Sequence, residues 1–231
     1  MNNHLTRSIV DFYSDLQFPL RYTAEDIAFY DHDLNNLYFE FIDAHLQNGM
    51  KILDVGCGTG LITNVFARRY PTCEFTAMDF SNAIRYGEEF AQQNQITNVH
   101  WLHQDILQLD TSDRFDAIIC QGVLHHIPDY HRALTNIKNS LAPNGTLLLG
   151  LYHPVAKIGQ KIFTKRFASS VMRQDQRHNP FELSFTADQV KKMCEPMILQ
   201  DLAPKSITKW ISPNFYQSGG LTIYTLRNIC Q

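Results

Sequence analysis

Apolar and polar positions change their spacing several times along the 231 residues, and each change marks an element. Leu34, Leu37, Tyr38, Phe41, Ile42 and Leu46 recur at helical spacing and end at Asn48-Gly49, a natural stop. Thr23-Ala24-Glu25-Asp26 has the form of a capping box, so residues 1–50 read as a helical arm. From residue 51 the pattern alternates. Ile52 to Val55 is a buried strand, and three glycines at every second position follow it. A helix then carries Leu61, Ile62, Val65 and Phe66 and ends at Tyr70-Pro71. Further strands are expected at Glu74 to Met78, Val99 to Leu102, Phe115 to Cys120 and Thr146 to Leu151, with helices at about Asn82 to Gln93 and Asp129 to Leu141. Pro143-Asn144-Gly145 reads as the turn before the last of these strands. Strands alternating with helices imply βαβ units, an α/β fold and a mostly parallel sheet.

The rhythm breaks after residue 151. Residues 152–185 read as an insertion that caps a pocket. Thr186-Ala187-Asp188-Gln189 opens another helix, which stops near Pro196. Two strand candidates close the chain, Ser206 to Ile211 and Leu221 to Leu226, joined by Pro213 to Gly220 as an antiparallel edge hairpin. The organisation expected is one domain over 1–231: an N-terminal arm or lid over 1–49, a ligand-binding core over 50–151, the cap over 152–185, and a final helix with edge strands over 186–231.

Composition narrows the function. With 44% apolar and 19% charged residues, the chain fits one globular domain with a sizeable core. Five scattered cysteines without CxxC spacing read as reduced thiols of a cytoplasmic protein, and neither a signal peptide nor an apolar run of membrane-spanning length is present. The net charge of −3 argues against a general nucleic-acid binder. Its distribution is uneven: residues 1–150 carry 9 Lys and Arg against 18 Asp and Glu, and residues 151–231 carry 11 against 5. The basic part suits an anionic small molecule, or RNA, or simply the acidic remainder of the same domain.

The chemistry centres on Asp54-Val55-Gly56-Cys57-Gly58-Thr59-Gly60. A glycine turn between a strand and a helix lets a ligand lie on bare backbone near the helix N-terminus. The dinucleotide fingerprint GxGxxG requires a glycine where Leu61 stands. Asp54, two residues before the first glycine, would repel a pyrophosphate and suits a ligand bearing a positive amino group. This makes a dehydrogenase the weakest rival.

The stretch resembles the first motif of class I S-adenosylmethionine-dependent methyltransferases. Three later positions agree in order. Asp79 ends the second strand, 19 residues after Gly60; Asp105-Ile106 follows the third; and Gln121-Gly122-Val123-Leu124-His125-His126-Ile127-Pro128-Asp129 follows the fourth. The last resembles a segment of small-molecule methyltransferases of the ubiquinone-biosynthesis type, and Leu141-Ala142-Pro143-Asn144-Gly145-Thr146 matches the family's turn before the fifth strand. The resemblance covers about residues 50–152. It implies a Rossmann-like seven-stranded sheet with helices on both faces and S-adenosyl-L-methionine as cofactor. Gly56, Cys57, Gly58 and Gly60 would approach the methionine and ribose through backbone, and Asp54 would lie near the amino group. Asp79 would accept the ribose hydroxyls, since a carboxylate offers two acceptors to a vicinal diol. Phe80 would pack on adenine, Asp105 and Ile106 would hold its edge, and Gln121 would face the methionine end.

A sulfonium presents an already activated methyl group, so the protein mainly aligns nucleophile, methyl and sulfur. Removing the acceptor's proton calls for a base near neutral pH, and His125, His126 and His153 follow the fourth and fifth strands at the ligand rim. No catalytic metal is expected, because Gln121 stands where metal-dependent relatives carry a carboxylate. Tyr13 and Tyr22 on the aromatic arm and Tyr152 beside His153 are the substrate-lining candidates. A small-molecule methyltransferase is the reading. An RNA methyltransferase, and a module that binds S-adenosylmethionine without turnover, are its rivals.

Overall fold

A computed structural model of the chain describes residues 12, 21–32, 37–109, 114–155, 180–203 and 221–229. Seven strands form one sheet: β1 (Lys51–Val55), β2 (Glu74–Asp79), β3 (Val99–His103), β4 (Phe115–Gln121), β5 (Leu141–Tyr152), β6 (Ile198–Ala203) and β7 (Leu221–Arg227). Their spatial order is β3-β2-β1-β4-β5-β7-β6. β1, β2, β3, β4 and β5 pair in parallel, and β7 runs antiparallel between β5 and β6. The order reverses between β1 and β4, which opens a crevice outside the carboxyl ends of those strands.

The described helices are α1 (Ala24–His32), α2 (Leu37–Asp43), α3 (Leu61–Arg69), α4 (Ile84–Gln93), α5 (Tyr130–Ser140) and α6 (Ala187–Cys194). Alternation along the strands builds a core on each face of the sheet. Ile52, Phe75, Ala117, Ile119 and Leu148 pack with Ile42, Val65 and Phe66 on one face. Leu53, Ile118, Leu147, Leu149 and Tyr224 pack with Leu134, Ile137 and Val190 on the other. Strands covered on both faces read as continuous apolar runs, which is why Ile52 to Val55 shows no polar alternation before Asp54.

Both capping boxes form. Thr23 N and Oγ1 donate to Asp26 Oδ2 at 2.7 and 2.9 Å, and Asp26 N returns a bond to Thr23 Oγ1. Thr186 and Gln189 exchange the same reciprocal pair at the start of α6. The Pro143–Gly145 turn lies inside β5. Phe115 faces Leu141 and Ala117 faces Thr146, so the extra residues bulge out, with Asn144 at φ +61°.

The strand that pairs with β7 departs from expectation. Ser206 to Ile211 lies outside the described residues, and Ile198–Ala203 pairs with β7. Its register shifts between Leu199 and Asp201, so Leu199 faces Leu226 and Leu202 faces Tyr224. Two leucines three residues apart thus reach the same core, and a strand with that spacing does not show the period of two. Tyr13, nearly half of the arm and most of the cap also lie outside the described residues.

Candidate functional site

At the end of β1, Gly56, Gly58 and Gly60 all adopt left-handed backbone, with φ of +69°, +55° and +75°. Close neighbours reinforce the requirement for glycine. A Cβ on Gly56 would meet Val123 Cγ2 at 2.3 Å, and one on Gly60 would meet the Trp101 ring at 2.6 Å. The turn is tied to β2 through Gly56 N and Cys57 N, which both donate to Met78 O. Asp79 completes the tie: Oδ2 accepts from Gly58 N and Oδ1 accepts from Ser81 N, each at 2.8 Å. Burial raises the Asp79 carboxyl above its ordinary range, while the Ser81 and Gly58 bonds pull it back. The Cys57 side chain packs against Ala77 and Ile84, and burial pushes its thiol well up, so it carries no nucleophilic signature.

Asp54 sits beneath the turn, 2% exposed, and accepts from Thr63 Oγ1 at 2.6 Å. Burial pushes its carboxyl up to about 7, with Thr63 opposing and the charge of Asp79 adding. A buried acid that titrates near neutrality gains most from a cation placed beside it. Asp105 caps the 3-10 turn Ile106–Gln108, accepting from Leu107 N at 2.9 Å, and Ile106 packs into the core. Phe80 is half-buried, and its carbonyl lies 2.8 Å from His103 Nε2.

Gln121 ends β4 over Gly150, where a Cβ would lie 2.1 Å from Gln121 Oε1. Its Nε2 donates to Leu148 O at 3.0 Å. Its Oε1 is buried with no hydrogen-bond partner among the described residues. This buried acceptor lies against the β5 backbone at Gly150 and is unpaired among the described residues.

His125 and His126 lie on the 3-10 turn Leu124–His126 and are both buried. Their ring centroids are 4.1 Å apart, and His125 packs on Tyr152 at 4.3 Å. An extended segment crosses above them: Leu183 N donates to His125 O, Phe185 N donates to Tyr152 O, and His126 Nδ1 lies 3.2 Å from Phe181 O. His153 stands at the edge of this roof, half-buried, with Nδ1 accepting from Val155 N at 3.3 Å; burial lowers its pKa. Tyr22 is 5% exposed and lies below the glycine turn, where its hydroxyl donates to Thr59 O at 2.8 Å.

The fold thus gathers the glycine turn, Asp54, Asp79 and Gln121 at neighbouring strand ends. Thr63, Ser81 and Val123 join them without having been singled out from the sequence. The one available signal was Thr63, a hydroxyl nine residues after Asp54 that opens the buried run Thr63 to Ala67 of α3.

The chain is similar to methyltransferases in sequence and in fold. A profile described as a methyltransferase domain matches residues 46–206. An uncharacterized methyltransferase of Mycobacterium bovis is 34% identical over 115 residues, covering 48% of this chain and 56% of that protein. The ubiquinone biosynthesis O-methyltransferase of Haemophilus ducreyi is 26% identical over 196 residues, 78% of this chain and 82% of the relative. The chain therefore spans little more than half the length of the first of these. The N-methyltransferase NodS of Bradyrhizobium japonicum, solved with S-adenosyl-L-homocysteine, shares the fold at TM-score 0.55 and 17% identity, covering 88% of this chain and 97% of its own. Among the described residues, no helix is long and apolar enough to cross a membrane. Since the family profile spans most of the chain, including every described strand but β7, the protein belongs to the methyltransferase domain family.

Proposed function

We propose that the protein transfers a methyl group from S-adenosylmethionine to an oxygen, nitrogen or carbon of a small molecule. The observation that carries this reading is the left-handed glycine turn tied to Asp79 and underlain by Asp54, beside the β1/β4 crevice. The residues present fit the cofactor on two further counts. Asp54 is a buried acid poised to pair with a cationic amino group, and Gln121 Oε1 is a buried acceptor with no protein donor among the described residues. When bound, the sulfonium supplies an activated methyl group.

The chain's own groups bind and align. Asp79 already takes one amide on each oxygen, which fixes the carboxylate plane and leaves lone pairs for a ribose diol. Gly56, Cys57, Gly58 and Gly60 would present backbone, Asp54 would face the amino group, Phe80 would pack on the adenine, Asp105 and Ile106 would hold its edge, and Gln121 would accept at the methionine end. On the acceptor side we assign His125 and His126 to packing, because both rings are buried under Phe181–Phe185. His153 is the proposed base. Its lowered pKa keeps it neutral at physiological pH, and Nδ1, the ring nitrogen without hydrogen, would take the proton in exchange for its 3.3 Å bond from Val155 N. Tyr152 shapes the wall beside it, and the basic balance of residues 151–231 favours an anionic acceptor.

Thermal-shift titrations with S-adenosylmethionine, S-adenosylhomocysteine and NAD test the reading. Stabilisation by the first two alone, growing with concentration, is expected. A shift with NAD alone, or none with the two sulfur nucleosides, refutes it.

A further inference from the structure

A polar chain beside the glycine turn holds Tyr22, expected from the sequence to line the substrate, in buried hydrogen bonds to the turn itself. Tyr22 Oη donates to Thr59 O at 2.8 Å and accepts from Asn64 Nδ2 at 2.7 Å. The same amide nitrogen donates to Gly87 O at 3.1 Å. A phenol hydroxyl has one hydrogen, and both hydrogens of the Asn64 amide are committed, so the direction of the chain is set: Asn64 to Tyr22 to Thr59. Asn64 is fully buried, and the Tyr22 ring is wedged between Tyr86 and Phe90 of α4, with centroids 5.2 and 4.8 Å away. The Tyr86 hydroxyl bonds the Tyr22 carbonyl, so the tyrosine is held at its backbone and its ring as well as its hydroxyl.

The recipient carbonyl is the informative part. Thr59 O and Gly60 N belong to one peptide unit. Gly60 N donates to Cys57 O at 2.9 Å, and Thr59 O receives the tyrosine hydroxyl. Both ends of that peptide plane are therefore held. It joins Thr59 to Gly60, and with Gly58 just before it this is the costliest stretch of backbone in the site to order, because glycine has the most conformational freedom to lose. On the upper side, Asp79 holds Gly58 N. The turn is held at Gly58 N by a carboxylate and at Thr59 O by a phenol.

We infer that Tyr22, oriented by Asn64, is a positioning residue for the cofactor turn, its hydroxyl setting the Thr59–Gly60 peptide plane so that Gly58 and Gly60 are ordered before the ligand arrives. The inference rests on the proposal that this turn binds the cofactor. It places Tyr22 under the ligand, acting through backbone and not through contact with substrate.

The test uses Tyr22→Phe, which removes the hydroxyl and keeps the ring, with Asn64→Ala, the double variant and Asp79→Ala. Tyr70→Phe is the control. Its hydroxyl bonds Asp43 Oδ1 at 2.9 Å at the far end of α3, so it loses a comparable bond away from the turn. S-adenosylhomocysteine binding is measured by calorimetry, and amide exchange at Gly60 is measured in the ligand-free protein. Tyr22→Phe should weaken binding about five- to tenfold, the scale of one lost buried hydrogen bond, and speed exchange at Gly60 at least as much. Because the two residues act in series, the double variant should bind no more weakly than Tyr22→Phe. Tyr70→Phe should lower stability and leave affinity unchanged.

Affinity within twofold of wild type in Tyr22→Phe overturns the inference, as does additivity in the double variant. If Tyr22→Phe does not fold, Asn64→Ala decides alone, with at least threefold weaker binding expected and unchanged affinity counting against. Asp79→Ala separates the two levels. Weakened binding there with none in Tyr22→Phe defeats only the present inference, whereas an unaffected Asp79→Ala, or a wild-type protein that does not bind, defeats the cofactor reading beneath it.

Discussion

Asp54 holds the most consequential proton in the site. Its ordinary value is 3.8, and burial carries it to about 7 in the folded chain. Between those values the folded protein keeps a proton that the unfolded chain has released. Stability of the ligand-free protein therefore falls as pH rises through this window and levels off above it. Asp79, also raised by burial, adds in the same direction. Asp54→Asn keeps an acceptor for Thr63 and removes the proton, so urea denaturation of the variant between pH 5 and 7 should show a slope shallower by up to about 1.4 kcal/mol per pH unit. An unchanged slope would mean that Asp54 is already ionised in the fold. The same residue is the one that a cationic ligand would discharge, so an acid that costs stability in the free protein contributes on binding.

Among the elements, the strand–turn–helix unit from β1 to α3 carries the tightest constraint. Gly60 needs its left-handed φ and also leaves room for the Trp101 ring, which lies just as close to Gly87 on α4. Strand β3 and helix α4 thus meet at the back of the turn through one indole. Gly60→Ala should destabilise by about 1–3 kcal/mol from backbone strain alone, and more from the collision. Trp101→Leu shortens the colliding side chain, so the Gly60→Ala/Trp101→Leu double variant should lose less than the sum of the singles in urea titrations. Additive losses would show that the indole does not press on the turn. The roof from Phe181 to Phe185 plays a comparable part beyond β4 and β5, using two backbone bonds to turn a pair of histidines into core.

Across the whole molecule, the N-terminal helices are stitched to the end of the chain. The Tyr38 hydroxyl on α2 accepts from Leu221 N at 2.6 Å, 183 residues away, and His45 Nε2 lies 3.3 Å from Thr225 Oγ1. At the other side of the same layer, Arg69 of α3 and Tyr70 just after it both bind Asp43 of α2. This layer closes one face of the sheet over β1, β4, β5 and β7. Tyr38→Phe removes the buried acceptor of the first residue of β7. It should cost about 1–2 kcal/mol and raise amide exchange at Leu221, with the glycine turn unaffected. Exchange unchanged at Leu221 would show that β7 is anchored by its sheet partners alone.

Local chemistry was enough to place β1 to β5, the glycine turn and both capping boxes. Each is encoded within a few residues: a buried run, a left-handed backbone that only glycine adopts cheaply, a hydroxyl paired with an acceptor three positions on. The spacing of Asp54, Asp79 and Gln121 was legible for the same reason, since each ends a strand of recognisable pattern. β6 was not legible, because its register shift puts Leu199 and Leu202 on one face and hides the alternation. Nor was the state of the site residues. Whether His125 lies open at the rim or sealed under Leu183, and whether Tyr22 faces a ligand or Thr59 O, depends on segments distant in sequence meeting in space. The same holds for Asp54: its identity is written in the chain, but its proton is decided by burial, and burial exists only once the helices have closed over the sheet.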